Sequence, residues 1–340
     1  MKNRSIGIIL ALLLLFVRAG AAKSAVPEDS EKSNRTWEAG DFTIVFDGIV
    51  DESMAGKAQA YEVEFPLPDA SLLDLSIFSE NFPFAQAKIA TEENLLTYTL
   101  ESGENLSVSY GDIEYASENM RDIYAPLFGA ARNMHRIEES VFVDNIPSLD
   151  GIAFHEALRR VEAIAEVLKI DYLEPGMVCW LNQNDLDALK ADPTFSAEMT
   201  MGKPFYGIFF PVAFQGLPLL QGAFDAVGHN TLVGTQGQFI ISKDGIEFFY
   251  SGRAVLPQIK LIDEAGFCMT FEQAVKLLSK LCADILLSEP AELVITQAQV
   301  CYVPLAQDRR GQRYTYIPCW SFHYEEGIFA FNALSGERLI

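Results

Sequence analysis

Apolar and polar residues alternate in three stretches of the first third of the chain: FTIVFDGIV (42–50), AYEVEFPL (60–67) and LLTYTLESGENLSVSYGDIEYAS (95–117). A period of two marks half-buried strands. Ser102-Gly103 and Gly111-Asp112 supply turns inside the third stretch. A helix is expected within 117–138, broken or started by Pro126. Residues 42–149 therefore read as a β-rich N-terminal domain. Further on the period becomes 3.6. AFHEALRRVEAIAEVLKI places Phe154, Ala157, Leu158, Val161, Ile164, Ala165 and Leu168 on one helical face. TFEQAVKLLSKLCADIL does the same with Phe271, Ala274, Val275, Leu278, Leu281 and Ile285, and Thr270 with Gln273 forms a capping box at its start.

The segments after the two helices also correspond. MVCWLNQND (177–185) is answered by QVCYVPLAQD (299–308), and PFYGIFFPVAF (204–214) by RYTYIPCWSF (313–322). FIISKDGIEFF (239–249) is answered by FAFNALSGERL (329–339). The order helix, strand, strand, hairpin thus occurs twice, in 150–251 and 252–340, which predicts a duplication. The first copy carries an extra Gly-rich stretch, QGLPLLQGAFDAVGHNTLVGTQGQ (215–238), read as a long loop. The aromatic C-terminus reads as the last strands of an antiparallel sheet.

A helix opening on FEQA, a strand, YIPCWSF and then a Ser-Gly-Glu hairpin resembles a PepSY-type module. The tandem arrangement is similar to the YycI-like extracytoplasmic proteins of Gram-positive, including clostridial, bacteria. The residues that carry this resemblance are Asp244, Gly245 and Ile246 in one copy and Pro318, Trp320 and Phe322 in the other. It implies an α+β fold, with the β-rich N-terminal domain followed by two PepSY-like modules, each a helix packed on an antiparallel sheet. It also implies a role in binding or inhibiting extracytoplasmic proteins, or in regulating a sensor kinase.

The N-terminus changes the expected location. Lys2 and Arg4 precede the apolar run IGIILALLLLFV (6–17), and small residues come after it in RAGAAKSA. This is the pattern of a signal peptide covering 1–22. Twelve residues at about 1.5 Å each span roughly 18 Å, short of a bilayer core of about 30 Å. No lipobox cysteine is present after the run. A secreted or cell-envelope chain with a flexible polar linker at 23–41 is expected, and a retained anchor is the alternative. The formal charge of −22, from 47 acidic and 25 basic residues, argues against nucleic acid or anionic lipid as partner.

Chemistry is sparse. The four histidines, His135, His155, His229 and His323, form no HExxH and no close pair. No GxSxG, phosphate loop or EF-hand spacing is present. Glu92-Glu93 and Glu325-Glu326 read as solvated turn residues. Trp180 and Trp320 are expected to pack against the helices. Cys179, Cys268, Cys282, Cys301 and Cys319 contain no CxxC. Only Cys301 and Cys319 are expected to face each other, across the turn QDRRGQ (307–312), as two buried thiols or as a disulfide. No catalytic residue, metal ligand or cofactor is expected, and the binding residues are left unspecified. The reading is a non-enzymatic protein that binds an extracytoplasmic protein or peptide. An envelope hydrolase using carboxylates and a structural envelope component are the alternatives. A cleft lined by two or more facing acids would favour the hydrolase, and an exposed sheet edge or an apolar groove between the modules would favour binding.

Overall fold

A computed structural model describes residues 32–52, 57–67, 86–92, 95–138, 145–191, 202–220, 225–226, 229–230, 236–252, 254–255, 257–262, 268–285, 291–308, 312–325 and 327–340. The first part of the chain contributes β1 (Lys32–Ala39), β2 (Phe42–Asp51), β3 (Tyr61–Glu64), β4 (Lys88–Glu92), β5 (Leu95–Thr99), β6 (Asn105–Ser109) and β7 (Asp112–Ala116). A π-helical turn at Met120–Tyr124 runs into α1 (Ala125–Met134), with Pro126 in its first turn, and β8 (Arg136–Glu138) comes next. The middle holds α2 (Phe154–Leu168), β9 (Met177–Leu181), α3 (Gln183–Lys190) and β10 (Phe205–Pro211). Then come the short strands β11 (Ala213–Phe214), β12 (Leu217–Pro218), β13 (Asp225–Ala226) and β14 (His229–Asn230), and the hairpin β15 (Gln236–Ser242) and β16 (Gly245–Tyr250). The last part is β17 (Gln258–Leu261), α4 (Phe271–Ala283), β18 (Ala291–Ala306), β19 (Arg313–Tyr324) and β20 (Gly327–Asn332).

These strands form two large sheets. One has the order β1-β2-β18-β19-β3-β17, with β20 pairing the C-terminal half of β19. The other has the order β4-β5-β6-β7-β16-β15-β10-β9-β8 and is antiparallel throughout. The expected α+β chain, with a β-rich N-terminal domain and two PepSY-like modules, is overturned. The described chain is mostly β, with large antiparallel sheets and four α-helices. The N-terminal strands do not gather in a unit of their own. β1, β2 and β3 enter the sheet of β18 and β19, and β4 to β7 enter the sheet of β16. The reason is that the peptide groups of a central strand need partners on both edges of that strand. β18 takes β2 as a parallel partner, and β16 takes β7. The strand expected over 177–185 also stops early. Asn182 and Asp185 form a reciprocal cap there and start α3.

The helical faces pack as their periodicity predicts. Phe154, Ala157, Val161, Ile164 and Leu168 of α2 lie buried against Val108, Ile208 and Phe249 of the larger sheet. Helices α1 and α3 cover its other face through Phe128, Ala131 and Leu186. Covered on both sides, β10 is buried at every position. On the smaller sheet, Phe271, Ala274, Val275, Leu278 and Cys282 of α4 meet Phe46, Ile295 and Trp320. Each fully buried Val, Leu or Phe contributes about 1.5–3 kcal/mol. Trp320 also donates from Nε1 to the Met269 carbonyl (2.8 Å), just before the α4 cap at Thr270. Ile285 lies beyond the end of α4 and is exposed.

Gly48 shows how closely the parallel pair packs. β18 bulges between Ile295 and Gln297, and a Cβ on Gly48 would sit 1.8 Å from the Thr296 carbonyl oxygen. Backbone cannot move aside cheaply there. Gly48→Ala is expected to destabilise the protein by about 3 kcal/mol, the upper end of overpacking costs. Gly129, exposed on α1 with open space around its Cα, serves as the control. Gly129→Ala should stabilise by about 0.5–1 kcal/mol. Urea unfolding of both variants checks the pair, and equal effects of the two changes would contradict the packing.

Candidate functional site: a free strand edge beside an apolar groove

β17 ends the smaller sheet. It pairs with β3 on one side only, and among the described residues no strand pairs with the other side. Its register aligns Gln258, Ile259, Lys260 and Leu261 with Glu64, Val63, Glu62 and Tyr61. The Ile262 N–H, one residue beyond the strand, donates to the Ala60 carbonyl (3.0 Å). Antiparallel bonding alternates, so Lys260 and Gln258 also turn their peptide groups toward β3. Ile259 and Leu261 turn theirs outward. Two N–H and two C=O groups are thereby presented to a further strand.

The side chains alternate as well. Lys260 lies on the solvent face and ion-pairs with Glu62 (2.9 Å). Ile259 and Leu261 lie on the face of Tyr61 and Val63, which belongs to the α4 core. Ile259 and Ile262 are 45% and 47% exposed, and Leu67, just past β3, is also exposed. Soluble chains place charge on an edge to discourage pairing. Here large apolar side chains flank the one lysine.

Beside Ile259 the two sheets meet around an apolar groove of about 150 Å³. Its walls are Phe65, Val212, Phe214, Leu219, Ala254, Pro257, Ile259 and Tyr316, and Lys169, Asp171 and Gln215 bring polar atoms to it. Each wall has a local cause. β10 continues past Pro211 through Val212, whose neighbour Ala213 donates to the Asp171 carbonyl (2.8 Å). Gln215 and Gly216, at φ 53° and 76°, make the tight turn of the β11–β12 hairpin. That turn aims Phe214 into a ring of tyrosines, with centroids 5.3, 5.2 and 4.7 Å from Tyr61, Tyr302 and Tyr316. Lys169 adopts φ 54° as the C-cap of α2, so the chain leaves that helix at the groove. Lys169, Asp171, Gln215 and Ile259 are exposed and form its mouth.

The side chains singled out by sequence lie elsewhere and do not converge. His155 is exposed on α2. His135 caps α1, bonds Asp185 through Nε2 (3.1 Å) and stacks on Trp180 with rings 5.4 Å apart. His323 is buried with its Nε2 3.2 Å from Ser321 Oγ, beside the buried pair Gln297 and Gln299. The side chain of His229 lies outside the described set. Glu92 and Glu325 are exposed, and Glu93 and Glu326 fall outside the described residues, as does the expected leader at 1–22. All five cysteines are buried free thiols. Cys301 and Cys319 do face each other, with sulfurs 3.3 Å apart. Burial pushes the Cys179 thiol up to about 12 and that of Cys319 well above its usual range. The start of the expected loop 215–238 is docked instead: Leu220 donates its N–H to Tyr302 (2.8 Å), and β14 lies alongside β18. Among the described residues no three His, Cys, Asp or Glu side chains could together hold a metal ion. No described helix is long and apolar enough to cross a membrane.

The chain is similar in structure to an uncharacterized protein from Eubacterium rectale known from a crystal structure. The TM-score is 0.54 at 12% identity, over 87% of this chain and 90% of that one. At that identity the likeness bears on fold alone. No family model matches the chain, and no curated protein matches it.

One acidic pair stands apart from the groove. Asp112 and Glu114 lie two residues apart on β7 and so share a face, opposite Ser109 and Ser107 of β6. They succeed one another along a strand and do not face across a cleft, so the arrangement expected for a hydrolase is not formed by them. Burial, and then the charge of Asp112, pushes the Glu114 carboxyl up to about 7. A carboxyl raised in the folded state stabilises fully below its unfolded pKa near 4.3, and that contribution is lost as pH climbs toward 7. Glu114→Gln should therefore leave stability at pH 4 nearly unchanged and raise it at pH 8. The gain expected is roughly 1–2 kcal/mol, taking about 1.4 kcal/mol per pH unit and discounting for partial exposure. Urea titrations at the two pH values check this, and a loss at pH 8 would contradict it.

Proposed function

We propose that this chain is a non-enzymatic extracytoplasmic protein that binds a polypeptide by adding it as a strand to β17. The edge of β17 that no strand pairs among the described residues, beside an apolar groove, is the observation that carries the reading. Strand addition takes its affinity from main-chain bonds and its selectivity from pockets for alternate side chains, and this edge offers both. The N-terminal charge, apolar run and small residues support the extracytoplasmic location. A rigid platform suits such a role, because β17 is held by β3 and β3 by β19, a strand buried over most of its length.

The test uses the alternation of the peptide groups. Leu261→Pro removes one outward N–H and no bond to β3, and proline is tolerated on an edge. Peptides selected from a displayed random library against the purified protein supply the ligand. Their affinity should fall at least tenfold in Leu261→Pro while the thermal unfolding midpoint moves by no more than a few degrees. Selected peptides that bind the variant as well as the parent would overturn the reading, and so would the failure of any peptide to enrich.

A further inference from the structure

We infer that the groove beside β17 takes a single phenyl-sized apolar side chain, phenylalanine first, from a basic strand paired to that edge. This rests on the strand-addition reading and specifies its ligand.

The size of the groove sets the side chain. A volume of about 150 Å³ is enough to accommodate a benzene ring, and the groove here, open at its mouth, has that volume. Three aromatic rings, those of Phe65, Phe214 and Tyr316, line it. An incoming ring can meet their edges in the offset or T-shaped arrangements that aromatic pairs prefer. Phe214 already makes such contacts with Tyr302 and Tyr316, at interplanar angles of 88° and 71°. The polar atoms of Lys169, Asp171 and Gln215 lie at the mouth, so a tyrosine hydroxyl or tryptophan N–H carried inward against the rings would be less well partnered there, which favours phenylalanine.

The register delivers the ring to the groove. A strand added to β17 lies about 4.8 Å from it, and its side chains alternate between the solvent face and the face of Ile259. The residue opposite Ile259 therefore points at the groove, and its neighbours two positions away reach the mouth. There Asp171 and Lys169 oppose each other in charge. The C-terminal end of α2 adds the negative pole of its macrodipole. The mouth is thus tipped negative on a chain with a formal charge of −22. Such a field draws a basic segment and repels an acidic one.

Three synthetic heptapeptides test this by fluorescence anisotropy with the purified full-length protein: acetyl-TKTFTKT-amide, the same peptide with alanine for phenylalanine, and the same peptide with glutamate for both lysines. The parent peptide should bind at least tenfold more tightly than either variant. Its affinity should fall at least tenfold as salt rises from about 0.05 to 0.5 M. Ile259→Trp fills the groove from an exposed position and should abolish the preference for phenylalanine over alanine. Equal binding of the phenylalanine and alanine peptides, still lost in Leu261→Pro, would sink the groove inference and leave the edge reading standing. Tighter binding of the glutamate peptide would overturn the charge assignment. Absence of binding by all three peptides, with library-selected peptides still sensitive to Leu261→Pro, would show that the ligand chemistry is wrong while the edge reading holds.

Discussion

A buried strand cannot leave either line of peptide groups without partners, and two central strands of this chain meet that constraint across long stretches of sequence. β18 has β19 beside it in sequence and takes β2 on its other edge. β16 has β15 beside it and takes β7. The described strands β1 to β7 are therefore divided between the sheets that the rest of the chain begins. Closing such distant pairings costs chain entropy before any contact repays it. The packing that repays it is dense. β10 is buried throughout, and Gly48 lies so close to Thr296 that no side chain fits between them.

The candidate site arises from how the two sheets meet. β10 runs out of the larger sheet, and the hairpin after it inserts Phe214 among Tyr61, Tyr302 and Tyr316 of the smaller one. The wedge also forms part of the groove wall, with Val212, Leu219 and Tyr316. β17 lies there because it comes directly after the larger sheet's last strand and opens the segment leading to α4. The same joint that holds the sheets together thus places an edge unpaired among the described residues beside an apolar hollow. The hydrogen-bonded side chains that invite a catalytic reading, such as Ser321 with His323 or Glu247 with Ser242 and Ser117, are largely buried.

Sequence made the local elements legible and the pairing between them illegible. The helical faces of Phe154–Leu168 and Phe271–Cys282 keep a 3.6 period, and the Thr270–Gln273 cap is present in the structure. The facing of Cys301 and Cys319 comes from counting around one turn. Nothing local states that Phe42–Asp51 will lie parallel to Ala291–Gln299, because both segments carry only the generic alternation of a strand. The fold implied by the resemblance, two separate helix-on-sheet modules, is overturned for that reason, since each such module would leave open an edge that N-terminal strands fill. β17 was missed because four residues, QIKL, are too few for a period to register. Pro257 before them and the alternation of Ile259, Lys260 and Leu261 were the available signal.

The central claim is that the N-terminal strands complete both sheets and are not an appended domain. Producing residues 145–340 alone tests it most directly. Without β2 and β7, both β18 and β16 lose a partner. The fragment should then show no cooperative urea transition and no native near-ultraviolet circular dichroism. A fragment that unfolds cooperatively, with the same near-ultraviolet spectrum as the corresponding part of the intact protein, would contradict the account.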